Sequence, residues 1–290
     1  MAEDQRGSKV VLVTGCSSGI GRATAERLAA RGWTVYATAR RSSSIADLEA
    51  RGCRTLALDV TDEQSMRSAV ETVSDAEGAV GVLVNNAGYS LSGAIETASP
   101  EEVKRQFETN VFGPVRLTRL VLPAMRRQGF GKIVNVSSMG GRLTFPGGGY
   151  YHATKWAIEA LSDVLRYEVG GFGIDVIVIE PGLIRTRFGE TAAGGVGVED
   201  GPYGAYNRAV AERTRGAYEG PTGRLGGDAQ SVASVIEKAI SARRPRTRYR
   251  VTPSASLFLT LHALLTDRAW DRLVGRGLPR PGSGRPVEPS

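Results

Sequence analysis

The chain has 290 residues, of which 41% are hydrophobic and 23% are charged, which is enough apolar material for one large α/β core. Its net charge of +7 indicates a basic surface. No nucleic-acid-binding motif accompanies that charge, so a nucleic-acid partner is not expected. Two cysteines and two histidines provide neither a disulfide framework nor a set of metal ligands.

The first predicted elements are a strand and a helix joined by a glycine-rich turn. Lys9 to Thr14 is a short apolar run rich in β-branched residues, which predicts a buried parallel strand. The segment TGCSSGIG follows, and a helical pattern then runs from Arg22 to Arg31. This order is the context of a dinucleotide-binding loop, in which unpaired amides at the helix start bind a pyrophosphate.

Three glycines of that turn have separate predicted roles. Gly15 permits the tight turn, Gly19 lets the backbone approach the pyrophosphate, and Gly21 allows close packing of helix on strand. The hydroxyls of Ser17 and Ser18 offer further hydrogen-bond donors. The predicted cofactor-binding residues of this segment are Gly15, Ser17, Ser18, Gly19, Ile20 and Gly21.

The end of the second predicted strand, Trp33 to Arg41, bears on which cofactor binds. An acidic residue there would bind the ribose 2′-hydroxyl of NAD and repel a 2′-phosphate. Ala39 stands at that place, and Arg40 and Arg41 follow it. Because arginine forms forked, charge-assisted contacts with phosphate, NADP(H) is favoured over NAD(H), with Arg40 as the contact. The alternative is that both arginines are solvated at the strand exit.

Polar residues stand at the ends of the next strands. Four strands are predicted, over Arg54 to Val60, Val80 to Val84, Lys132 to Ser138 and Ile174 to Glu180. Asp59 lies at the tip of the first, and Asn85 and Asn86 follow the second, where they can bridge strands or line a ligand crevice. Ser138 ends the third, and Pro181 to Thr186 follow the fourth. In such sheets the ligand crevice forms at the carboxyl ends of the strands.

A long helix is predicted from Pro100 to Gln128, and it contains Asn110. Asparagine is poorly suited to a helix interior. Asn110 is therefore a candidate to bind water or a backbone carbonyl beside the active site, and an ordinary polar helix position is the alternative.

Tyr151 and Lys155 form the pair with the most direct chemical meaning. Residues four apart share a helix face, and a neighbouring cation lowers the pKa of a phenol. Tyr151 can then exchange a proton with an alcohol or ketone oxygen, and Ser138 can hydrogen-bond the same oxygen. The chain has five lysines against 32 arginines, which suggests that position 155 requires an ammonium group. His152, about 100° round the helix, is predicted to be a packing or rim residue.

Together these segments resemble the short-chain dehydrogenase/reductase family over roughly residues 8 to 190. The motifs, in order, are TGCSSGIG, Asp59, NNAG, Asn110, the second serine of VNVSS, YHATK and PGLIRT. The resemblance implies a doubly wound parallel α/β sheet, the Rossmann fold, in a single domain that we place at residues 8–274. TGCSSGIG and VYATARR are also typical of the steroid and retinoid dehydrogenase branch, without indicating the substrate.

The resemblance also implies a role for each matching residue. Tyr151 is the proton donor or acceptor, Lys155 holds the nicotinamide ribose hydroxyls, and Ser138 orients the substrate oxygen. Asn110 holds a water that links Lys155 to solvent. The implied cofactor contacts are Asp59, Asn86, Ala87 and Gly88 on the adenosine side, and Pro181, Gly182, Ile184 and Thr186 at the nicotinamide.

The function expected from these residues is NADP(H)-dependent interconversion of an alcohol and a ketone or aldehyde, with Tyr151 as general acid/base. A nonenzymatic NADP(H)-binding sensor on the same fold is the alternative, and the intact Ser138, Tyr151 and Lys155 argue against it. The expected partners are a small alcohol or carbonyl substrate and further copies of the chain, as a homodimer or homotetramer.

The sequence after residue 188 is less regular. Glycines between residues 189 and 204 predict a mobile loop that closes over substrate, followed by helices near residues 203–218 and 228–242. The candidate substrate contacts are Leu143, Phe145, Tyr203 and Tyr206.

An arginine-rich segment, residues 243–250, precedes a predicted apolar helix over residues 254–274. A last strand with a packing helix is favoured over a membrane-surface element, and the apolar run is too short to span a bilayer. Residues 275–290, rich in Pro and Gly, are expected to be disordered.

The amino terminus has no apolar signal segment, so a cytoplasmic protein is expected. The arginine-rich composition suggests a bacterial source.

Overall fold

The computed structural model describes residues 8–186, 201–219 and 225–282. The strands of these residues are β1 (Val10–Val13), β2 (Thr34–Ala39), β3 (Arg54–Ala57), β4 (Val82–Asn85), β5 (Gly131–Val136), β6 (Ile174–Glu180), β7 (Ile184–Arg185), β8 (Gly227–Asp228) and β9 (Arg248–Arg250). Seven of them form one sheet in the order β3-β2-β1-β4-β5-β6-β9, and every neighbouring pair is parallel. The predicted doubly wound parallel sheet is confirmed.

The helices of the described residues cover both faces of this sheet. They are α1 (Gly19–Ala30), α2 (Glu63–Glu77), α3 (Pro100–Phe107), α4 (Gly113–Gln128), α5 (Gly149–Gly170), α6 (Gly204–Glu219), α7 (Ala229–Ser241), α8 (Pro253–Leu264) and α9 (Asp267–Val274). Capping residues in the local sequence determine where several of these helices begin. The Asp62 carboxylate accepts hydrogen bonds from two first-turn amides of α2, and Ser99 and Glu102 form a capping box at α3.

The core forms two apolar layers, one on each face of the sheet. Successive residues of a strand point to opposite faces, so Val11 and Val13 of β1 join the layer that contains Leu28 of α1. Leu12 joins the opposite layer, together with Leu117 of α4. Both faces of the central strands are therefore buried, as their continuous apolar sequences predict.

Two predicted helices are interrupted. Between α3 and α4 the chain makes a π-helical turn, Glu108–Phe112, which contains Asn110. At the next residue, a Cβ atom on Gly113 would lie 2.5 Å from the carbonyl oxygen of Val60, so the chain passes close to the neighbouring loop. The predicted helix over residues 254–274 is two helices, because Leu265 and Thr266 are extended and α9 begins at Asp267.

The least regular part of the sequence is described only in part. Residues 187–200, which contain most of the predicted lid, and residues 283–290 of the predicted disordered tail lie outside the described residues. Residues 275–277 and 281–282 form turns, and Leu278 packs beside Val210 and Ala211.

The order of the strands determines where a ligand can bind. β1 lies between β2 and β4, so the connections that leave β1 and β4 run to opposite sides of the sheet. A crevice opens at the carboxyl ends of strands where the order reverses in this way.

Candidate active site

A crevice of about 1280 Å³ lies where β1, β4, β5 and β6 end. It is lined by the glycine-rich turn, the loops after these strands and the start of α5, and by parts of α6, α8 and α9. Every predicted catalytic or cofactor-binding residue belongs to its described lining except Gly21 and Asn110, which adjoin the lining residues Gly15 and Gly88.

The glycine-rich turn has the geometry that its spacing predicts. Gly15 and Gly19 have φ values of +74° and +59°, a region that side-chain-bearing residues rarely adopt. A Cβ atom on Gly21 would overlap the carbonyl oxygen of Gly15, so α1 can pack on the turn only with glycine there. No side chain caps the start of α1, which leaves first-turn amides available to an anion.

Thr14 joins this turn to the loop after β4. Its hydroxyl oxygen accepts hydrogen bonds from the amides of Asn86 and Ala87, both at 3.0 Å. The Asn86 side chain donates back to the carbonyl oxygens of Thr14 and Gly15, at 2.9 and 3.3 Å. Sequence reasoning missed Thr14, although its position at the exit of β1 was the available signal.

The two asparagines after β4 have different roles. Asn85 bridges strands, since its Nδ2 donates to Oδ1 of Asn135 on β5 at 2.9 Å. Asn135 in turn donates to the Ser162 hydroxyl on α5 at 2.8 Å. Asn86 lines the crevice. The sequence allowed these asparagines either to bridge strands or to line a crevice, and Asn85 has the first role and Asn86 the second.

The end of β2 presents a cation to the crevice. Arg40 is exposed and lines the crevice, and it forms no ion pair with any residue that the structure describes. Ala39 beside it is buried. Asp47, the next acidic residue along the chain, pairs with Arg22, and this guanidinium lowers the pKa of the Asp47 carboxyl group. This corner of the crevice therefore suits a phosphate better than a ribose 2′-hydroxyl.

Asp59 also lies in the lining, at the end of the segment that follows β3. Its Oδ1 accepts hydrogen bonds from the backbone amide and the hydroxyl of Thr61, at 2.9 and 2.7 Å. These bonds fix the orientation of the carboxylate at the wall.

Lys155 is a buried cation beside the predicted catalytic tyrosine. Its side chain is only 6% exposed, its Nζ donates to the carbonyl oxygen of Val136 at 2.8 Å, and this nitrogen lies 5.8 Å from the centre of the Tyr151 ring. Burial lowers the pKa of Lys155 to about 8, and the carboxylate of Glu159 opposes that shift. The four-residue spacing therefore brings ammonium and phenol together on α5.

Ser138 stands opposite this pair, where the chain leaves β5. Its Oγ accepts a hydrogen bond from the Gly140 amide at 3.1 Å. The Met139 amide donates to the carbonyl oxygen of Pro181 at 2.8 Å, which anchors the turn to the loop after β6. Ser138, Tyr151 and Lys155 all line the crevice, so a small ligand can meet all three.

Asn110 acts through its side chain on a neighbouring loop. Asn110 is 2% exposed. Its Oδ1 accepts a hydrogen bond from the Tyr89 amide at 3.1 Å. Its Nδ2 donates to the Tyr89 carbonyl oxygen at 2.9 Å and to the Thr154 hydroxyl at 3.1 Å. The side chain is thus occupied by protein groups. The predicted contact of Asn110 with a water molecule stays a prediction. Because the side chain is occupied, a backbone group of the π-helical turn would have to bind that water.

The candidate substrate contacts need correction. Phe145 lines the crevice, but Leu143 is completely buried beneath it. Tyr203 donates its hydroxyl to Glu96, and Tyr206 packs against Val210 and Ala211. The apolar side chains that line this end of the crevice are instead Met139, Phe145, Leu183, Val210, Phe258, Leu261, Leu273 and Val274.

Sequence reasoning missed most of this wall because no local motif marks it. Val210, Leu261 and Leu273 belong to three separate helices. The period of an amphipathic helix shows that one face is buried, but it does not show which residues face a ligand.

The described residues were compared with the requirements of a metal site and of a membrane-spanning helix, and they meet neither. They contain no group of three or more His, Cys, Asp or Glu side chains arranged to hold a metal ion. None of their helices is both long enough and apolar enough to cross a membrane.

The parallel sheet, the glycine-rich turn and the Ser138, Tyr151 and Lys155 cluster define the class of dinucleotide-binding oxidoreductases. Residues 9–194 match the sequence model of the short chain dehydrogenase family. The chain belongs to this family.

Similar proteins agree with this assignment. The chain is 43% identical over 180 residues to 3-ketodihydrosphingosine reductase of Bacteroides thetaiotaomicron, a match that covers 62% of this chain and 65% of the relative. It is 34% identical over 284 residues to NADPH-dependent 3-dehydrocapnine reductase of Ornithobacterium rhinotracheale, covering 93% and 97%. A short-chain dehydrogenase structure from Streptomyces avermitilis is 40% identical, with 93% and 98% coverage and a TM-score of 0.77.

Similar solved structures contain different nicotinamide cofactors. A serine dehydrogenase complexed with NADP+ is 27% identical, with 84% and 94% coverage and a TM-score of 0.73. A 3-ketoacyl-(acyl-carrier-protein) reductase from Brucella melitensis complexed with NADH is 26% identical, with 86% and 99% coverage and a TM-score of 0.73. The fold therefore accommodates both cofactors.

Proposed function

We propose that this protein is an NADP(H)-dependent oxidoreductase that interconverts an alcohol and a ketone or aldehyde, with Tyr151 as the general acid/base. One observation carries the proposal. Ser138, Tyr151 and Lys155 line the same crevice as the glycine-rich turn, so groups suited to proton transfer and a dinucleotide-binding loop share one site.

Each of the three residues has a distinct part in the chemistry. In the direction of reduction, Tyr151 gives its proton to the substrate oxygen, and the Ser138 hydroxyl hydrogen-bonds the same oxygen. The Lys155 ammonium, held by the Val136 carbonyl, stabilises the phenolate that Tyr151 becomes. A bound nicotinamide cofactor supplies the hydride exchanged with the carbonyl carbon.

The choice of NADP(H) rests on the end of β2. Arg40 is exposed at the crevice and unpaired among described residues, while Ala39 offers no carboxylate to a ribose hydroxyl. The open amides of α1 and the hydroxyls of Ser17 and Ser18 suit the remaining phosphates. The name of the Ornithobacterium relative specifies NADPH, which supports the same choice.

The substrate class follows from the apolar end of the crevice. Leu261 and Phe258 of α8 and Leu273 and Val274 of α9 line it beyond Tyr151, and such a surface favours an apolar substituent. Two relatives are named as reductases, one of them of a keto compound. We therefore propose a ketone with an apolar chain as the substrate and reduction as the working direction.

The test is NADPH oxidation measured against ketones and aldehydes whose alkyl chains increase in length. We expect turnover, with kcat/KM rising by about two- to fourfold for each methylene that reaches the apolar wall. Tight NADPH binding with no turnover of any ketone, aldehyde or quinone in the panel would support the sensor alternative instead.

We also propose that the protein is a homo-oligomer formed through α5. Trp156, Val164 and Tyr167 give this helix an exposed apolar face, and Tyr167 is 93% exposed. Phe112 and Phe172, the latter just after the end of α5, are further exposed apolar side chains. Such patches mark protein interfaces, and a face repeated on each copy suits a two-fold dimer. Light scattering after gel filtration should give a dimer or tetramer for the wild type and a smaller species for Val164→Glu.

A further inference from the structure

His152, the residue after Tyr151 on α5, is a buried polar side chain in the wall of the crevice. It is 6% exposed. Two glycines make room for its ring: a Cβ atom on Gly140 would lie 2.6 Å from Cδ2, and a Cβ atom on Gly148 would lie 2.6 Å from Cε1. The imidazole therefore has one well-defined position.

The hydrogen bonds of the ring determine which nitrogen carries the proton. The Phe145 amide donates to Nδ1 at 3.3 Å, so Nδ1 is an acceptor and the proton of the neutral ring is on Nε2. Burial lowers the pKa of His152 to about 4. The side chain is thus an uncharged N–H donor at neutral pH.

Nε2 has no hydrogen-bond partner among the described residues, since the one bond of the ring is made by Nδ1. Nε2 is not completely enclosed by protein atoms, and His152 lines the crevice. The N–H group therefore opens on the crevice. A hydrogen-bond acceptor of a bound ligand can take the place of water on this donor.

This donor lies close to the groups that handle the reacting oxygen. The position of a Cβ atom on Gly140 is 3.1 Å from Nε2 of His152 and 3.5 Å from Oγ of Ser138. The Tyr151 ring centre lies 5.8 Å from the His152 ring centre. A ligand whose carbonyl oxygen meets Ser138 and Tyr151 thus brings its neighbouring atoms towards Nε2.

We propose that the Nε2–H group of His152 binds a second polar group of the substrate. The substrate is accordingly a ketone that carries a hydrogen-bond-accepting oxygen or nitrogen close to its carbonyl carbon. This inference rests on the proposed reductase function and deepens it, because it identifies a residue that distinguishes such ketones from plain alkyl ketones.

Two substitutions separate the donor from the packing role. His152→Asn keeps an amide oxygen near the position of Nδ1, where it can accept from the Phe145 amide, but removes the Nε2 donor. His152→Gln can place an amide N–H near Nε2 and gives up the Nδ1 acceptor. Both variants are compared with wild type on a 2-hydroxy ketone, a 3-oxo ester and a plain ketone of equal length, with NADPH.

We expect His152→Asn to lower kcat/KM by about two- to tenfold for at least one of the polar ketones, the range for one neutral hydrogen bond. The change should be mainly in KM, the plain ketone should be almost unaffected, and His152→Gln should recover part of the preference. Equal losses on all three ketones would make His152 a packing residue and overturn this inference alone. Turnover of none of them by wild type would overturn the reductase function as well.

Discussion

The two ends of the crevice differ in what forms their walls. The proposed cofactor end is built from short continuous segments at the strand ends. Two of them, the glycine-rich turn after β1 and the loop after β4, are joined by four hydrogen bonds that involve Thr14 and Asn86. The substrate end is built from side chains of segments far apart in the chain, among them Phe145, Val210 and Leu261.

The comparison shows two ways in which a sequence specifies a site. At the cofactor end, backbone groups approach the ligand and the helix start must stay open, so only certain residue types fit at fixed spacings. At the substrate end, any apolar side chain of suitable size can form the wall. The first end therefore leaves a motif in the sequence, and the second does not.

The largest effect is expected at the boundary between the two ends, where Tyr151 stands. Tyr151→Phe removes the exchangeable proton and leaves the apolar ring, so NADPH binding should persist while turnover falls by at least roughly a hundredfold. Fluorescence titration of NADPH and steady-state kinetics measure the two quantities. Near-normal turnover in this variant would refute the proposed role of Tyr151.

The cofactor end can be tested through its phosphate preference. Arg40→Ala should weaken NADPH binding by roughly ten- to a hundredfold, because a hydrogen bond to a charged group contributes about 1.5–3 kcal/mol, while NADH binding should hardly change. Ala39→Asp should favour NADH by repelling the phosphate and offering the ribose an acceptor. A wild type that already prefers NADH, or an equal loss of both cofactors in Arg40→Ala, would show that Arg40 is a solvated strand-end residue.

The substrate end should give a smaller effect that depends on chain length. Leu261 lines the crevice, so Leu261→Ser should lower kcat/KM for a long-chain ketone by about three- to tenfold and leave a short ketone unchanged. Leu257 lies one turn earlier on α8, is 45% exposed and is not part of the lining. Leu257→Ser is the matched control, and equal effects of the two changes would mean that α8 does not contact the chain.

The last prediction concerns stability instead of activity, and it tests whether Lys155 is as buried as the structure indicates. In the folded protein its pKa is about 8, whereas an unfolded lysine titrates near ~10.4. The buried charge therefore costs stability below pH 8, and this cost disappears as the pH rises through the interval between the two values.

Urea unfolding of the cofactor-free protein measures this cost. The unfolding free energy of the wild type should rise relative to that of Lys155→Met as the pH increases from about 7 to 10. Lys238 is exposed on α7, so Lys238→Met should show no such trend. A constant difference between wild type and Lys155→Met would contradict the burial of the ammonium.

Much of the fold was predictable because its signals are local. The apolar runs of the central strands and the order of strands, turns and helices predicted a doubly wound sheet, and the strand pairings confirm it. The break between α8 and α9 was not predicted, because the apolar pattern continues across it. Tertiary packing holds α9 in its separate position, because Trp270 of α9 contacts Phe145 and donates its indole N–H to the carbonyl oxygen of Thr144.

The sequence alone was sufficient for the family, the parallel sheet and the identity of the residues proposed for cofactor binding and proton transfer. These features depend on glycines, strand ends and a four-residue helix spacing, which are written in contiguous residues. Only the folded structure showed three other features. These are the apolar wall, the hydrogen bonds of Asn110 with the Tyr89 backbone, and the Nε2–H group of His152 that opens on the crevice. They arise from contacts between segments far apart in the chain, and many different sequences satisfy such contacts equally well.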